Sequence, residues 1–197
     1  VTTYENYKYT KVGLQMNVGV YPVTVAMYKH YCLLNSKAMP PTPAFGWILD
    51  HPMVNLNWHN IQDYCAWIKN YYQDTVRLPY DNEWTLIARG GQEKTKALYP
   101  WGDIYLDSLS WTSVKSRRFS TVSVTRTHNT HLNGYGVLDV SGNVAEWLQD
   151  SKEGKKCFVT GSWYSAEQTY GMCQSRVCQS PLFKDDWLGF RLVTIDT

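Results

Sequence analysis

The stretch Asp139-Val140-Ser141-Gly142-Asn143-Val144-Ala145-Glu146-Trp147 decides how this chain is read. Its centre, Ser-Gly-Asn, allows a tight turn that an ordinary residue does not enter, because glycine accepts positive φ without a Cβ clash. Trp147 closes the stretch. With Trp58, Trp67, Trp84, Trp101 and Trp163 it supplies core area to a fold poor in regular sheet. Arg77, Arg89, Arg176 and Arg191 carry planar five-donor heads suited to bridging loop carbonyls and carboxylates.

Composition sets the outer bounds. The 197 residues suit one domain with a sizeable core. Charged residues make up 18% of the chain, against about 25% in an average soluble domain, and 15% are aromatic, with 9 Trp and 15 Tyr. So much large apolar surface excludes disorder. A net charge of +2 gives no broad cationic field, which argues against nucleic acid as a partner. No apolar run reaches the roughly 18 residues of a membrane span. The chain begins at Val1, with neither an initiator Met nor a signal peptide, so the expectation is that any signal or lipid anchor has been trimmed. An odd number of cysteines (Cys32, Cys65, Cys157, Cys173, Cys178) on a chain this long predicts buried free thiols rather than a disulfide framework.

Three helices are expected. Thr24 caps a run in which Val25, Tyr28, Tyr31 and Cys32 share a face. Asn57 caps the next, with Trp58, Ile61, Cys65, Ile68 and Tyr72 at i, i+3 or i+4 spacing. A shorter one follows Pro79, turns Trp84, Ile87 and Ala88 inward and ends at Gly90-Gly91. After residue 91 the helical period disappears, and short strands are expected at 121–125, 157–160 and 188–194. No linker divides the chain. The picture is a single α+β domain over residues 1–197.

The motifs, taken in order, resemble the formylglycine-generating-enzyme, or sulfatase-modifying-factor, domain. They are Tyr21-Pro22-Val23-Thr24, His51-Pro52-Met53-Val54-Asn55, Trp58-His59, Tyr64-Cys65-Ala66-Trp67, Arg77-Leu78-Pro79, Glu83-Trp84, Ala88-Arg89-Gly90-Gly91 and Tyr99-Pro100-Trp101-Gly102-Asp103. Then come Asn133-Gly134-Tyr135-Gly136-Val137, the stretch at 139–147, Gly161-Ser162-Trp163 and Gly189-Phe190-Arg191-Leu192. The resemblance implies a C-type-lectin-like fold with two or three helices, short irregular antiparallel strands and long loops.

It does not by itself imply a reaction. The family's sulfatase-activating members carry a cysteine pair, where copper binds, just after the Gly-Ser-aromatic motif; thiolates suit soft metal ions and redox chemistry. Here Tyr164 to Tyr170 contain no thiol. Cys173 and Cys178 copy the spacing of that pair, but Cys173 falls on a core position three before Arg176, and Cys178 is expected in a turn or as an exposed thiol. The family's iron-dependent sulfoxide synthases have a histidine-bearing helical domain that this chain lacks, and His128 and His131 are expected to be solvated. No Gly-x-Ser-x-Gly elbow, phosphate loop or dinucleotide fingerprint occurs. Catalytic residues are therefore expected to be none, and cofactors and metal none. The resemblance also raises calcium, which family enzymes bind through positions matching Asn143, the Val144 carbonyl and Glu146; a hard cation wants six to eight oxygens, and the nearby loop 121–132 supplies only hydroxyls and carbonyls, with no carboxylate. An oxidase acting on protein cysteine or a small thiol is the alternative reading.

Residues 163–188 mix Trp, Tyr, Phe, Ser, Asp and Leu with no period, in the manner of loop surfaces that bind macromolecules: Tyr supplies amphipathic area at low entropy cost, and Ser supplies adaptable hydrogen bonds. This layout also resembles the variable proteins of diversity-generating retroelements. Their scaffold is fixed, and a final stretch ending near Gly-Phe-Arg-Leu is rewritten at template adenines. The resemblance implies a non-catalytic, surface-displayed monomer that binds a protein or other macromolecule. Its expected ligand-binding residues are Tyr164, Ser165, Ala166, Thr169, Tyr170, Ser180, Leu182, Phe183, Asp185 and Trp187.

Overall fold

In this computed structural model, residues 3–13, 16–91, 96–114, 119–125 and 133–195 are described. The expected helices form where polar caps and apolar spacing place them. Helix α1 (Val25–Leu34) starts at Thr24, whose side chain accepts the Met27 N–H at 3.4 Å, and it buries Val25, Tyr28, Tyr31 and Cys32. Helix α2 (Trp58–Tyr72) has a reciprocal cap: Asn57 accepts the Asn60 N–H at 2.9 Å and donates its own N–H to Asn60 Oδ1 at 3.1 Å. Helix α3 (Asp81–Arg89) has Glu83 accepting the Tyr80 N–H at 2.8 Å, with Arg77 gripping both carboxylate oxygens at 2.7 Å. It ends at Gly90, φ +69, where a Cβ would stand 2.5 Å from the Gly134 nitrogen.

Two sheets complete the architecture. The first has strand order β1-β2-β8-β3, all antiparallel: β1 (Tyr9–Val12), β2 (Met16–Gly19), β3 (Val76–Arg77) and β8 (Val193–Ile195). The two ends of the chain therefore meet in one sheet. The second has order β6-β5-β4-β7, with β4 (Ala145–Lys152), β5 (Lys155–Val159), β6 (Arg176–Gln179) and β7 (Leu188–Gly189); β7 lies parallel to β4. A large aromatic core built on α1 and α2 includes Tyr28, Tyr31, Tyr64, Trp67 and Phe190 and takes in Trp147 and Phe158 from the second sheet. A second cluster joins Trp84 of α3 to Val12, Val18 and Val193 of the first sheet and to Leu148 and Cys157 of the second. This is the α+β, C-type-lectin-like arrangement.

Two expectations are corrected. Residues 121–125 form no strand. Val122 pairs with a side chain instead: its N–H reaches Asn143 Oδ1 at 2.9 Å and its carbonyl accepts from Asn143 Nδ2 at 3.0 Å, so an amide does the work of a strand ladder. The cysteines are not all free. Cys157 and Cys178 are direct partners across β5 and β6 and form a disulfide, while Cys32, Cys65 and Cys173 are buried thiols. Cys178 is thus neither a turn residue nor an exposed thiol; register places it, and register is not visible in spacing. The other two expected strands are present with different limits, as β5 and as the separate β7 and β8. His128 and His131 lie outside the described residues.

Candidate functional site

A groove of about 720 Å³ lies over one face of the second sheet. Its floor comes from three strands: Ala145 on β4, Phe158 on β5, and Val177 and Gln179 on β6. One wall is the loop after β5, from Thr160 to Glu167 together with Tyr170. Phe183 and Trp187 form the opposite wall, and Ser113 and Phe119 close an end.

The Ser-Gly-Asn turn fixes the first wall. Gly142, φ +109, donates its N–H to Gly161 at 3.0 Å, Asn143 accepts the Trp163 N–H at 3.0 Å, and Ser141 Oγ donates to the Gly171 carbonyl at 2.9 Å. A Cβ on Gly142 would stand 2.6 Å from the Trp111 nitrogen, so this approach needs glycine. Ser165 Oγ accepts the Ser162 N–H at 2.9 Å, and Ser113 donates to the Trp163 carbonyl at 2.8 Å. Trp163 is buried, and its indole N–H reaches the Asp186 carbonyl at 3.2 Å, joining the two walls. The second wall is pinned by the Trp58 N–H on the Pro181 carbonyl at 3.1 Å and the Asn55 N–H on that of Asp185 at 3.0 Å. Phe183 stacks on Phe158, centroids 6.2 Å apart, and Trp187 sits 5.7 Å from the same ring.

Of the residues expected from sequence to bind, Tyr164, Ser165, Ala166, Tyr170, Phe183 and Trp187 line this groove. Thr169, Ser180, Leu182 and Asp185 do not. Thr169 lines a smaller hollow beside Arg89, Ser180 and Leu182 form the outer turn, and Asp185 holds its backbone against Asn55. None of the ten is buried: Tyr164 is 64% exposed, Leu182 67% and Tyr170 40%, while Ser165, Phe183, Asp185 and Trp187 are half-buried. Within the segment, Gly171 and Cys173 are buried, so two separate arms build the walls. Sequence reasoning missed Ser113, Phe119, Ala145, Phe158, Thr160, Val177 and Gln179. Cross-strand register and chain crossings bring them in, and no local pattern marks them.

Glu167 is the only Asp, Glu, Lys or Arg among the described lining residues. Beside the second wall, burial and the neighbouring Asp185 carboxyl raise the Asp186 carboxyl above the ordinary aspartate range. Three cysteines are buried thiols and two are bonded to each other. Burial pushes Cys173 up to about 11, against the pull of Arg89 and Arg176, and Cys178 is bonded to Cys157 rather than facing Cys173. A thiol held that high supplies little thiolate at neutral pH.

The calcium positions do not fit a cation. Glu146 Oε1 accepts from Arg191 Nη2 at 2.7 Å, and Oε2 accepts from Arg191 Nε at 2.7 Å and from the Trp84 indole at 3.0 Å. Asn143 spends its amide on Val122 and on Asp139, the latter at 3.0 Å. A cation here would have to displace a wholly buried guanidinium. Among the described residues no group of three His, Cys, Asp or Glu side chains is placed to hold a metal ion, and no helix is long and apolar enough to cross a membrane.

Comparison with known proteins agrees with this geometry. Among curated relatives, the serine/threonine-protein kinase pkn1 of Chlamydia pneumoniae is 35% identical over 100 residues, 51% of this chain and 14% of the relative. The inactive C-alpha-formylglycine-generating enzyme 2 of Bos taurus is 28% identical over 159 residues, 73% of this chain and 50% of the relative. The formylglycine-generating enzyme of Thermomonospora curvata is 28% identical over 129 residues, 60% of this chain and 37% of the relative. The chain thus spans half or less of the length of these relatives. Among solved structures, Treponema denticola variable protein 1 superposes with TM-score 0.70 at 22% identity, covering 91% of this chain and 84% of that one. CarF gives 0.74 at 21% identity, covering 97% and 96%. The Major Tropism Determinant U1 variant gives 0.57 at 12% identity, covering 95% and 52%. At these identities the likeness is one of fold. Residues 15–195 match the Sulfatase-modifying factor enzyme 1-like domain, and the chain belongs to that family.

Proposed function

We propose that this chain is a non-catalytic binding domain whose groove and flanking loops recognise a protein or other macromolecule, in the manner of the variable proteins of diversity-generating retroelements. The observation that carries the reading is the convergence of two arms, 163–170 and 180–187, on one aromatic groove, with exposed Tyr164, Tyr170 and Leu182 on a hydrogen-bonded frame. Large aromatic residues left in water on rigid loops lose little entropy when a partner covers them. The absence of a thiol from Tyr164 to Tyr170 supports a non-catalytic role, as does the placement of Cys173 and Cys178. The disulfide fits an oxidising compartment and hence surface display.

Two experiments test this. Sequencing the 3′ end of the gene across many isolates is expected to show substitutions concentrated at adenine-derived codons of 163–188, beside a reverse transcriptase and a near-repeat of the coding end. A uniform segment with no such repeat removes the variable-protein reading. Incubation with copper, oxygen and a cysteine-containing sulfatase peptide is expected to yield no formylglycine aldehyde above the protein-free control. Aldehyde formation would replace the binding reading with the oxidase one.

A further inference from the structure

Strand β6 joins the two arms of the groove, and it is an edge strand paired only with β5 among the described strands. Its first residue is anchored to α3: Arg176 Nε donates to Asp81 Oδ1 at 2.7 Å and Nη2 to Thr85 Oγ1 at 2.8 Å. The chain is anchored again where the Pro181 carbonyl accepts the Trp58 N–H at 3.1 Å. Between these points, among the described residues, the covalent tie to the rest of the fold is the Cys157–Cys178 disulfide, and Val177 adds packing against the larger core. Alternation along the strands puts the pair Phe158 and Val177 on the groove face and the pair Cys157 and Cys178 on the opposite face. Gln179, two residues after Val177, returns to the groove. Cys157 is buried in the cluster beneath the sheet, whereas Cys178 is half-buried.

We propose that Cys157–Cys178 is a thiol-exchange site that sets the rigidity of the groove floor. Oxidised, it holds Val177 and Gln179 in register with β5. Reduced, it leaves the span from Val177 to Ser180 held by its backbone pairing with β5 and the packing of Val177, with no covalent tie across the strands. The reagent is a dithiol. One of its thiolates attacks the more accessible Cys178 sulfur and forms a mixed disulfide, and the Cys157 sulfur leaves as a thiolate and takes up a proton. The second reagent thiol then closes on the first and releases Cys178 as a thiol, so two electrons pass to the protein and the reagent departs as a cyclic disulfide. The consequence for a ligand rests on the groove being the binding face; the consequence for the strand does not.

The test is peptide-resolved hydrogen exchange on the whole chain, with and without dithiothreitol, alongside mass mapping of cysteines. The protein purified in air is expected to show Cys157 and Cys178 linked. Limiting monothiol is expected to add first at Cys178, and full reduction to speed exchange across 177–180 at least tenfold while α2 stays protected. Free thiols at both positions in air, first addition at Cys157, or unchanged exchange after reduction would each overturn the proposal. The variant Cys157→Ala with Cys178→Ala is expected to exchange as the reduced protein does; should it fail to fold, the wild-type comparison decides. Because exchange needs no ligand, a chain that binds nothing can still pass this test, and a binding chain can fail it.

Discussion

Arg191 has no solvent exposure, and its guanidinium is divided between the two oxygens of Glu146 and the carbonyls of Gly19 and Leu138, at 3.2 and 2.9 Å. This one side chain ties β2, β4 and the segment before β8 together. Such a pair contributes little relative to a well-packed apolar pair, but removing one partner strands a buried charge. Arg191→Met is therefore expected to cost about 3–5 kcal/mol in urea unfolding, with part of the loss recovered by adding Glu146→Leu. A milder case is Glu83. Burial opposes its charge, yet the bonds from Arg77 and the Tyr80 N–H outweigh burial and hold the carboxyl below the ordinary range. A depressed folded value means stability that is present above the unfolded value of about 4.3 and is lost as pH falls through the folded one. Glu83→Gln should then be less stable than wild type at pH 6, and the gap should close as the solution is acidified below about pH 4. A gap that persists at low pH would show that the side chain acts by shape and not by charge.

Among the elements, the Ser141-Gly142-Asn143 turn does more than end a loop, since it hydrogen-bonds the segment at Val122, the loop after β5 and the Gly171 carbonyl into one frame. Gly142→Ala is expected to cost more than the 1–2 kcal/mol or so of left-handed backbone, because its Cβ would also press on Trp111. Gly154→Ala is the control. Its φ is +77 but a Cβ there meets nothing within 4 Å, so it should cost only the backbone amount of about 1–2 kcal/mol. Thermal unfolding of the two variants separates conformation from crowding; equal losses would mean that the close approach at Gly142 relaxes freely.

For the molecule as a whole, the core reaches the floor of the groove through Ala145 and Phe158, while Tyr164 and Leu182 stand outside it. Tyr164→Ala and Leu182→Ala are expected to change stability by no more than about 0.5 kcal/mol, while Trp147→Ala, wholly buried with its indole on the Leu56 carbonyl at 3.1 Å, should cost about 3–5 kcal/mol. Probing protein and glycan arrays with wild type and Tyr164→Ala then reads the face alone. Any partner bound by the wild type should be lost or exchanged in the variant. Retention of the same partners at the same strength would place recognition away from this groove.

The sequence by itself determined the three helices, because caps and 3.6-residue spacing are local: Thr24, Asn57 and Gly90 each act within a few residues of themselves. It also carried the family, through motifs whose order survives without any geometry, and it pointed to Tyr164, Tyr170 and Phe183 as large aromatics in an aperiodic polar stretch; the fold leaves Tyr164 and Tyr170 exposed and packs Phe183 partly against the core. Tertiary structure alone decided the rest. Strands β2 and β3 pair with β8, and β7 pairs with β4, all partners far along the chain, so these pairings have no local period to read. The disulfide depends on a register that sets Cys157 opposite Cys178, and the groove floor depends on the same register turning Phe158 and Val177 outward. Glu146 sits at a position the resemblance offers to calcium, and only the fold shows that Arg191 bonds both its oxygens, so its charge is answered by a buried guanidinium.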